Sequence, residues 1–215
     1  MHTSRAVARR QEQREELKAE MREAARAIFV RDGFQSLSMR KLAAEIGYSA
    51  AAIYLYFPSK EHLFHSLVEE SFSRLSDSLA GLADEPSTSP VERLKRGGRL
   101  YVRWGCMHPN DYQIAFLLPV PLSGPYKTHQ AFQTLRLLVV ACLPAAGARD
   151  KRAETATQSI WAALHGITSL LIQRPSFPWR TKESVIQQVI DSAVDGAVTR
   201  SSRRGTHGGR NGRAR

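Results

Sequence analysis

The chain has 215 residues, 42% of them hydrophobic and 24% charged, which suits one compact core or two modest ones and is the ordinary composition of a soluble globular protein. A formal net charge of +11 favours a polyanionic partner, because neutralising phosphates releases counterions. The start carries no apolar signal segment and the longest apolar run, Leu137–Leu143, is far too short for a bilayer, so a cytoplasmic protein is expected.

Residues 1–14 are polar and Arg-rich and read as a basic extension. A long helix is expected from about Glu15 to Gly33, with Leu17, Met21, Ala24, Ala25, Ile28 and Phe29 on one face. Leu42, Ala43 and Ile46 then mark a short second helix, which Gly47 can close in the left-handed conformation at little steric cost. Ser49 can cap the free amides of a third helix, expected from Ala50 to Phe57. Its opening residues, Ala50, Ala51 and Ala52, are small enough to let the backbone approach a groove floor. Ile53 and Phe57 are spaced to pack inward, which leaves Tyr54 and Tyr56 for nucleic acid. Helix, glycine turn and capped helix together are the grammar of a helix-turn-helix.

Pro58 stops the third helix and Ser59 caps a fourth, expected from Lys60 to Leu82 and carrying Leu63, Phe64, Leu67, Val68, Phe72, Leu75 and Leu79. Asp84–Pro90 is a loop by composition. Ser89, Pro90 and Glu92 then combine a cap, a first-turn proline and a third-position acid, a strong start for a fifth helix running to Met107. His108-Pro109-Asn110 breaks it. A short sixth helix is expected over Asp111–Leu118 and a seventh over Tyr126–Leu143, the latter apolar nearly all round from Leu135 and therefore expected to be central. An eighth spans about Asp150–Gln173 and a ninth about Lys182–Arg200, separated by Pro175 and Pro178. With no partner strands evident, the expected fold is all-α. The segment Arg200–Arg215 holds six arginines and no acid, and residues 201–215 are expected to be a basic disordered tail, with a phosphate-contacting arm as the sharper alternative.

Catalytic chemistry has no foothold in this pattern. Cys106 and His108 lack an orienting third residue and a glycine-rich oxyanion loop, and both Cys106 and Cys142 sit among apolar residues as expected buried free thiols. No phosphate-binding glycine motif occurs, and His62 and His65, three apart, lack a third metal ligand. No enzyme activity, metal or cofactor is expected. Trp104, Met107, Tyr112, Phe116 and Trp161 suit either an apolar ligand pocket or plain core. On the ninth helix, Ile186, Val189, Ile190, Ala193, Val194 and Ala197 form one stripe, with Gln187, Gln188, Asp191 and Asp195 opposite. That stripe could cover its own core or a second subunit.

One resemblance connects these readings. Phe29-Val30-Arg31-Asp32-Gly33-Phe34, Ser38-Met39-Arg40-Lys41-Leu42-Ala43, Gly47-Tyr48-Ser49 and Ile53-Tyr54-Leu55-Tyr56-Phe57-Pro58-Ser59-Lys60-Glu61 closely resemble the DNA-binding domain of TetR (tetracycline-repressor-like) regulators. The likeness covers roughly residues 15–70 and departs from the commonest pattern at Tyr48 and Ala51. Trp161, His165 and Gly166, with His108-Pro109 upstream, resemble the W-x-x-x-H-G element of one TetR subgroup's C-terminal domain.

The resemblance implies a three-helix DNA-binding domain at residues 15–62 and a helical effector-binding and dimerisation domain at 63–200. It implies a cytoplasmic homodimeric repressor on palindromic double-stranded DNA, released by a small apolar effector; a regulator without an effector, or an activator, is the alternative. Two-fold symmetry would set two reading helices about 34–36 Å apart. The implied phosphate contacts are Ser38, Lys41, Tyr56 and Lys60. The implied base-reading positions are Arg40, Ala50, Ala51 and Tyr54, beside the cap Ser49. Trp104, Met107, His108, Tyr112, Phe116, Trp161 and His165 are the candidate lining of the effector pocket, with His165 otherwise a satisfied core or interface histidine, and the resemblance implies that the ninth-helix stripe pairs with a second subunit.

Overall fold

The computed structural model describes residues 2–82, 88–117, 129–143 and 150–205. Every regular element among them is helical: α1 His2–Asp32, a 3₁₀ turn Phe34–Ser36, α2 Met39–Ile46, α3 Ala50–Tyr54, α4 Lys60–Ser78, α5 Pro90–Met107, α6 Pro109–Tyr112, a π-helical turn Gln113–Leu117, α7 His129–Cys142, α8 Lys151–Gln173 and α9 Lys182–Gly205. The chain divides into two compact units, Met1–Phe72 with Asn110–Pro125, and Ser73–Pro109 with Tyr126–Arg215.

In the first unit α1 begins at His2, well before the expected Glu15. No glycine or proline interrupts residues 2–14, and Ala, Arg, Gln and Glu there are strong helix formers. Its later turns bury Met21, Ala25, Ile28 and Phe29. The Phe29, Phe34 and Phe64 rings form a triangle with centroids 5.1–5.5 Å apart, joining α1, the 3₁₀ turn and α4. Such aromatic pairs contribute about 0.5–1.5 kcal/mol each beyond their burial.

The same unit also has a polar core. Arg26 of α1 and Asp111 of α6, 5% and 4% exposed, form a buried ion pair. The Ser71 hydroxyl donates to the Asp111 carboxylate at 2.9 Å, and Arg26 also reaches Glu70 at 2.9 Å and Glu23 at 3.2 Å. A buried charge is tolerated only when its partners are this close. α6 and the π-helical turn replace the single sixth helix expected at Asp111–Leu118, of which Leu118 falls outside the described residues.

In the second unit α5 is the central element, packing against α7, α8 and α9. The seventh helix was expected there from its apolar run, yet Leu137 is 60% exposed while Leu138, Val139, Cys142 and Leu143 are buried. The reason is the glycine pair of α5. A Cβ on Gly97 would stand 3.2 Å from a Leu138 methyl, and one on Gly98 would stand 3.2 Å from Leu164 and 3.4 Å from Ile190. Two missing side chains let three helices approach one axis, as no wholly Leu-rich helix permits. Polar stitches flank the seam: Lys95 pairs with Asp191 at 2.8 Å and Asp195 at 2.9 Å, and Arg99, paired with Glu92 of its own helix, reaches Gln187 of α9 at 3.5 Å.

Helix ends follow local chemistry. Ser89 accepts from the Glu92 amide to open α5 behind Pro90, and Asp150 accepts from the Arg152 amide to open α8. α4 ends at Ser78, short of the expected Leu82, and Gly81 follows with a φ of 78°. α9 runs on through Gly205, so residues 201–205, expected in a disordered tail, are helical; 206–215 lie outside the described residues, as do 83–87 of the expected loop and 126–128 of the expected seventh helix. Cys142 is buried, donates to the Leu138 carbonyl at 3.2 Å, and its thiol is pushed up to about 11 by desolvation. Cys106 is exposed, not buried as expected, because it falls on the outward face of the last turn of α5. No helix among the described residues is long and apolar enough to cross a membrane.

Candidate nucleic-acid interface

The reading element is built from its turn outward. Gly47 adopts φ 72° and ψ 24°, the left-handed conformation that only glycine takes without strain, and the Tyr48 amide donates back to the Ala43 carbonyl at 2.9 Å. Ser49 then accepts from the Ala52 amide at 3.1 Å and starts α3. α3 ends at Tyr54, shorter than the expected Phe57, since Pro58 removes the next amide and the chain tightens through Leu55–Phe57. Ile53 and Phe57, 0% and 5% exposed, anchor this segment from beneath. Two inward anchors four apart hold the opposite face outward.

That outward face carries Ala51 and Tyr54, with Ala50 half-buried at its edge. Tyr54 is 52% exposed and Leu55 77% exposed. Leu55 was not among the expected contact residues. Arg40 is exposed on the first turn of α2. Ser38 caps α2 by accepting from the Lys41 amide at 3.1 Å, and its hydroxyl proton stays available to donate.

Two expected phosphate contacts already hold partners. The Lys41 ammonium lies 2.8 Å from Asp32. Hydrogen bonds from Arg31 and then Lys41 hold the Asp32 carboxyl down at about 2. The Lys60 ammonium sits over the Phe34 ring, 4.0 Å from its centroid, and partial burial lowers its pKa. Tyr56 is half-buried and receives the Arg14 guanidinium 5.6 Å from its ring centre. The expected boundary between residues 1–14 and the first helix hid this contact, because Arg14 in fact belongs to α1.

The expected pocket residues fall into three groups. Tyr112, fully buried, meets Phe116, whose ring packs edge-on to Phe72. Trp104, buried, lies beside His108, while Met107 is 61% exposed. Trp161, 38% exposed, faces Phe132 and His165, whose imidazole pKa is lowered by burial. On α9, Ile190 and Val194 are 0% and 1% exposed and belong to the core of their own chain, whereas Ile186, Val189, Ala193 and Ala197 are not fully covered by it. No cluster of three or more His, Cys, Asp or Glu side chains that could hold a metal occurs among the described residues.

An all-helical chain with a capped, outward-facing helix of small residues behind a glycine turn defines a helix-turn-helix DNA-binding protein. The sequence pattern of bacterial regulatory proteins of the tetR family matches residues 22–67, and that of the tetracyclin repressor-like C-terminal domain matches residues 94–196. The chain belongs to the TetR family of DNA-binding transcriptional regulators.

Among its relatives, the uncharacterized HTH-type transcriptional regulator YfiR of Bacillus subtilis is 38% identical over 58 residues, which cover 27% of this chain and 28% of YfiR. The chain thus matches under a third of that relative's length. The crystal structure of a putative regulatory protein, SCO4313, superposes with a TM-score of 0.65 over 86% of this chain and 98% of that one, at 18% identity. A TetR variant from Acinetobacter baumannii solved in complex with minocycline gives 0.59 over 82% and 93%, at 17% identity. These two similarities establish the fold.

Proposed function

We propose that this chain is a cytoplasmic, homodimeric repressor that grips a palindromic operator and is released by a small apolar ligand, acting by binding and not by catalysis. The observation that carries the reading is α3: Ile53 and Phe57 pin it from below while Ala51 and Tyr54 stand in solvent. Its division of labour follows the expected domains, with residues 15–62 reading DNA and 63–200 pairing and sensing.

In this reading Arg40 forks onto the O6 and N7 of a guanine, and Ala50, Ala51 and Tyr54 meet base edges and thymine methyls. Ser38, Tyr56 and Lys60 set register on phosphates. Lys41 reaches a phosphate by exchanging Asp32 for it, which supplies an electrostatic check on non-specific binding.

A second copy would cover the incompletely buried Ile186, Val189, Ala193 and Ala197 of α9 together with Leu170 of α8, which is 51% exposed. The ligand-sensing part of the reading is supported by the aromatic groups around Trp104, Tyr112 and Trp161, and by the minocycline complex of the Acinetobacter baumannii protein. Ligand binding would shift the population from a DNA-competent to an incompetent dimer.

Selecting genomic DNA fragments on the purified chain tests the core of this reading, and failure to enrich any duplex rejects it. With an enriched operator in hand, Arg40→Ala should lose about 1–3 kcal/mol of discrimination against a substituted guanine position. An unchanged preference in a competition assay removes Arg40 from the base-reading set.

A further inference from the structure

The early turns of α1 have no core to cover, and what they carry instead is a basic stripe. Met21, Leu17, Arg14, Arg10 and Val7 follow one another at spacings of four, three, four and three, so they share one face of the helix. At the Met21 end that face is fully buried; at the Val7 end it is 63% exposed. Between them, Arg14 lays its guanidinium over the ring of Tyr56, just beyond the exposed end of α3. The stripe therefore runs from the core of the DNA-binding unit past the reading helix into open solvent. Glu12, the sole acid among residues 2–14, stands on the opposite face from Arg10. Among the described residues, Arg9 and Arg10 are exposed and form no ion pair with a carboxylate.

We propose that Arg10 and Arg14 form a second DNA-binding surface, gripping the phosphodiester backbone beside the segment read by α2 and α3. From Arg10 to Arg14 the helix rises about 6 Å at 1.5 Å per residue, so the two guanidinium groups can reach neighbouring phosphates of one strand. The partner follows from charge: arginine pairs phosphate oxygens through a planar fork, and Arg14 joins this surface to the proposed DNA face at Tyr56. The site rests on the DNA-binding reading above and extends it to a segment outside the helix-turn-helix.

Because backbone binding ignores sequence, a mixed-sequence duplex of about 40 base pairs suffices as probe. Affinity of the full chain is measured across a salt series for wild type, Arg10→Gln, the Arg10→Gln/Arg14→Gln pair and the matching lysine pair, with circular dichroism confirming equal helicity. Each arginine–phosphate pairing that is removed should reduce the slope of log K against log salt by about 0.9, so by about 1.8 per bound chain in the double glutamine variant. The lysine pair should restore most of it.

A wild-type slope in the glutamine pair overturns the proposal while leaving the helix-turn-helix reading intact. A deficit that lysine does not restore also overturns it, since phosphate binding needs only the charge. A wild-type chain that binds no duplex at all sinks both readings together.

Discussion

The two compact units solve the same problem, holding helices together, by opposite means. The first places charge inside: Arg26, Asp111 and Ser71 meet in a buried network, in the same unit as three packed phenylalanine rings. The second removes side chains: Gly97 and Gly98 let α5 nestle against α7, α8 and α9, and its charges, Lys95 and Arg99, stay toward the rim. A buried ion pair is directional and fails abruptly when one partner goes. A glycine seam is graded, because it responds to each added methyl.

The sharpest way to break this contrast is at Arg26. Arg26→Met should cost about 3–5 kcal/mol in denaturant unfolding, because it leaves the Asp111 carboxylate buried without its guanidinium. Arg26→Met combined with Asp111→Leu should be more stable than Arg26→Met alone, since no uncompensated charge remains. A double variant no better than the single one would mean the pair is not what the first unit depends on.

At the seam the expected effect is smaller. Gly98→Ala should overpack against Leu164 and Ile190 by about 1–3 kcal/mol, against about 1 kcal/mol regained from helix propensity. A net drop in stability supports the close approach; a higher unfolding midpoint would show that α8 and α9 can give way.

The smallest effect concerns a surface charge of the first unit. Asp32 titrates near 2, below its ordinary 3.8, with the Arg31 hydrogen bond the larger cause and Lys41 the next. Its folded pKa is depressed, so the stability it contributes is full above pH 3.8 and is lost as pH falls through about 2. Arg31→Gln should raise the Asp32 pKa more than Lys41→Gln does, read by NMR titration of its carboxyl carbon. The reverse order would assign the depression to Lys41.

Much of the DNA-binding unit was legible because its rules are local. Gly47, Ser49, Ser59, Pro58 and the Ile53/Phe57 pair each act within one turn of themselves, and each behaves as its chemistry requires. Boundaries were less legible: α1 reaches back to His2 because nothing in residues 2–14 stops a helix, and the basic stripe there emerges only from the position of Arg14 over Tyr56. In the second unit the apolar run of α7 pointed to the wrong centre, since hydrophobicity says that a face is buried but not against what. The six-residue stripe of α9 shows the same limit: Ile190 and Val194 turn to their own chain and the other four keep a partial face outward.

From residue order alone come the all-helical architecture, the glycine-hinged reading element and the family, because capping, left-handed glycine and period-3.6 patterning need no distant partner. Only the tertiary structure decided that Arg26 answers Asp111 from 85 residues away, that a glycine pair makes α5 the hub, and that Lys41 and Lys60 already hold partners. Those outcomes depend on which surfaces meet across long stretches of chain, and chain-distant pairing is set by the packing of whole helices rather than by any residue's neighbours in sequence.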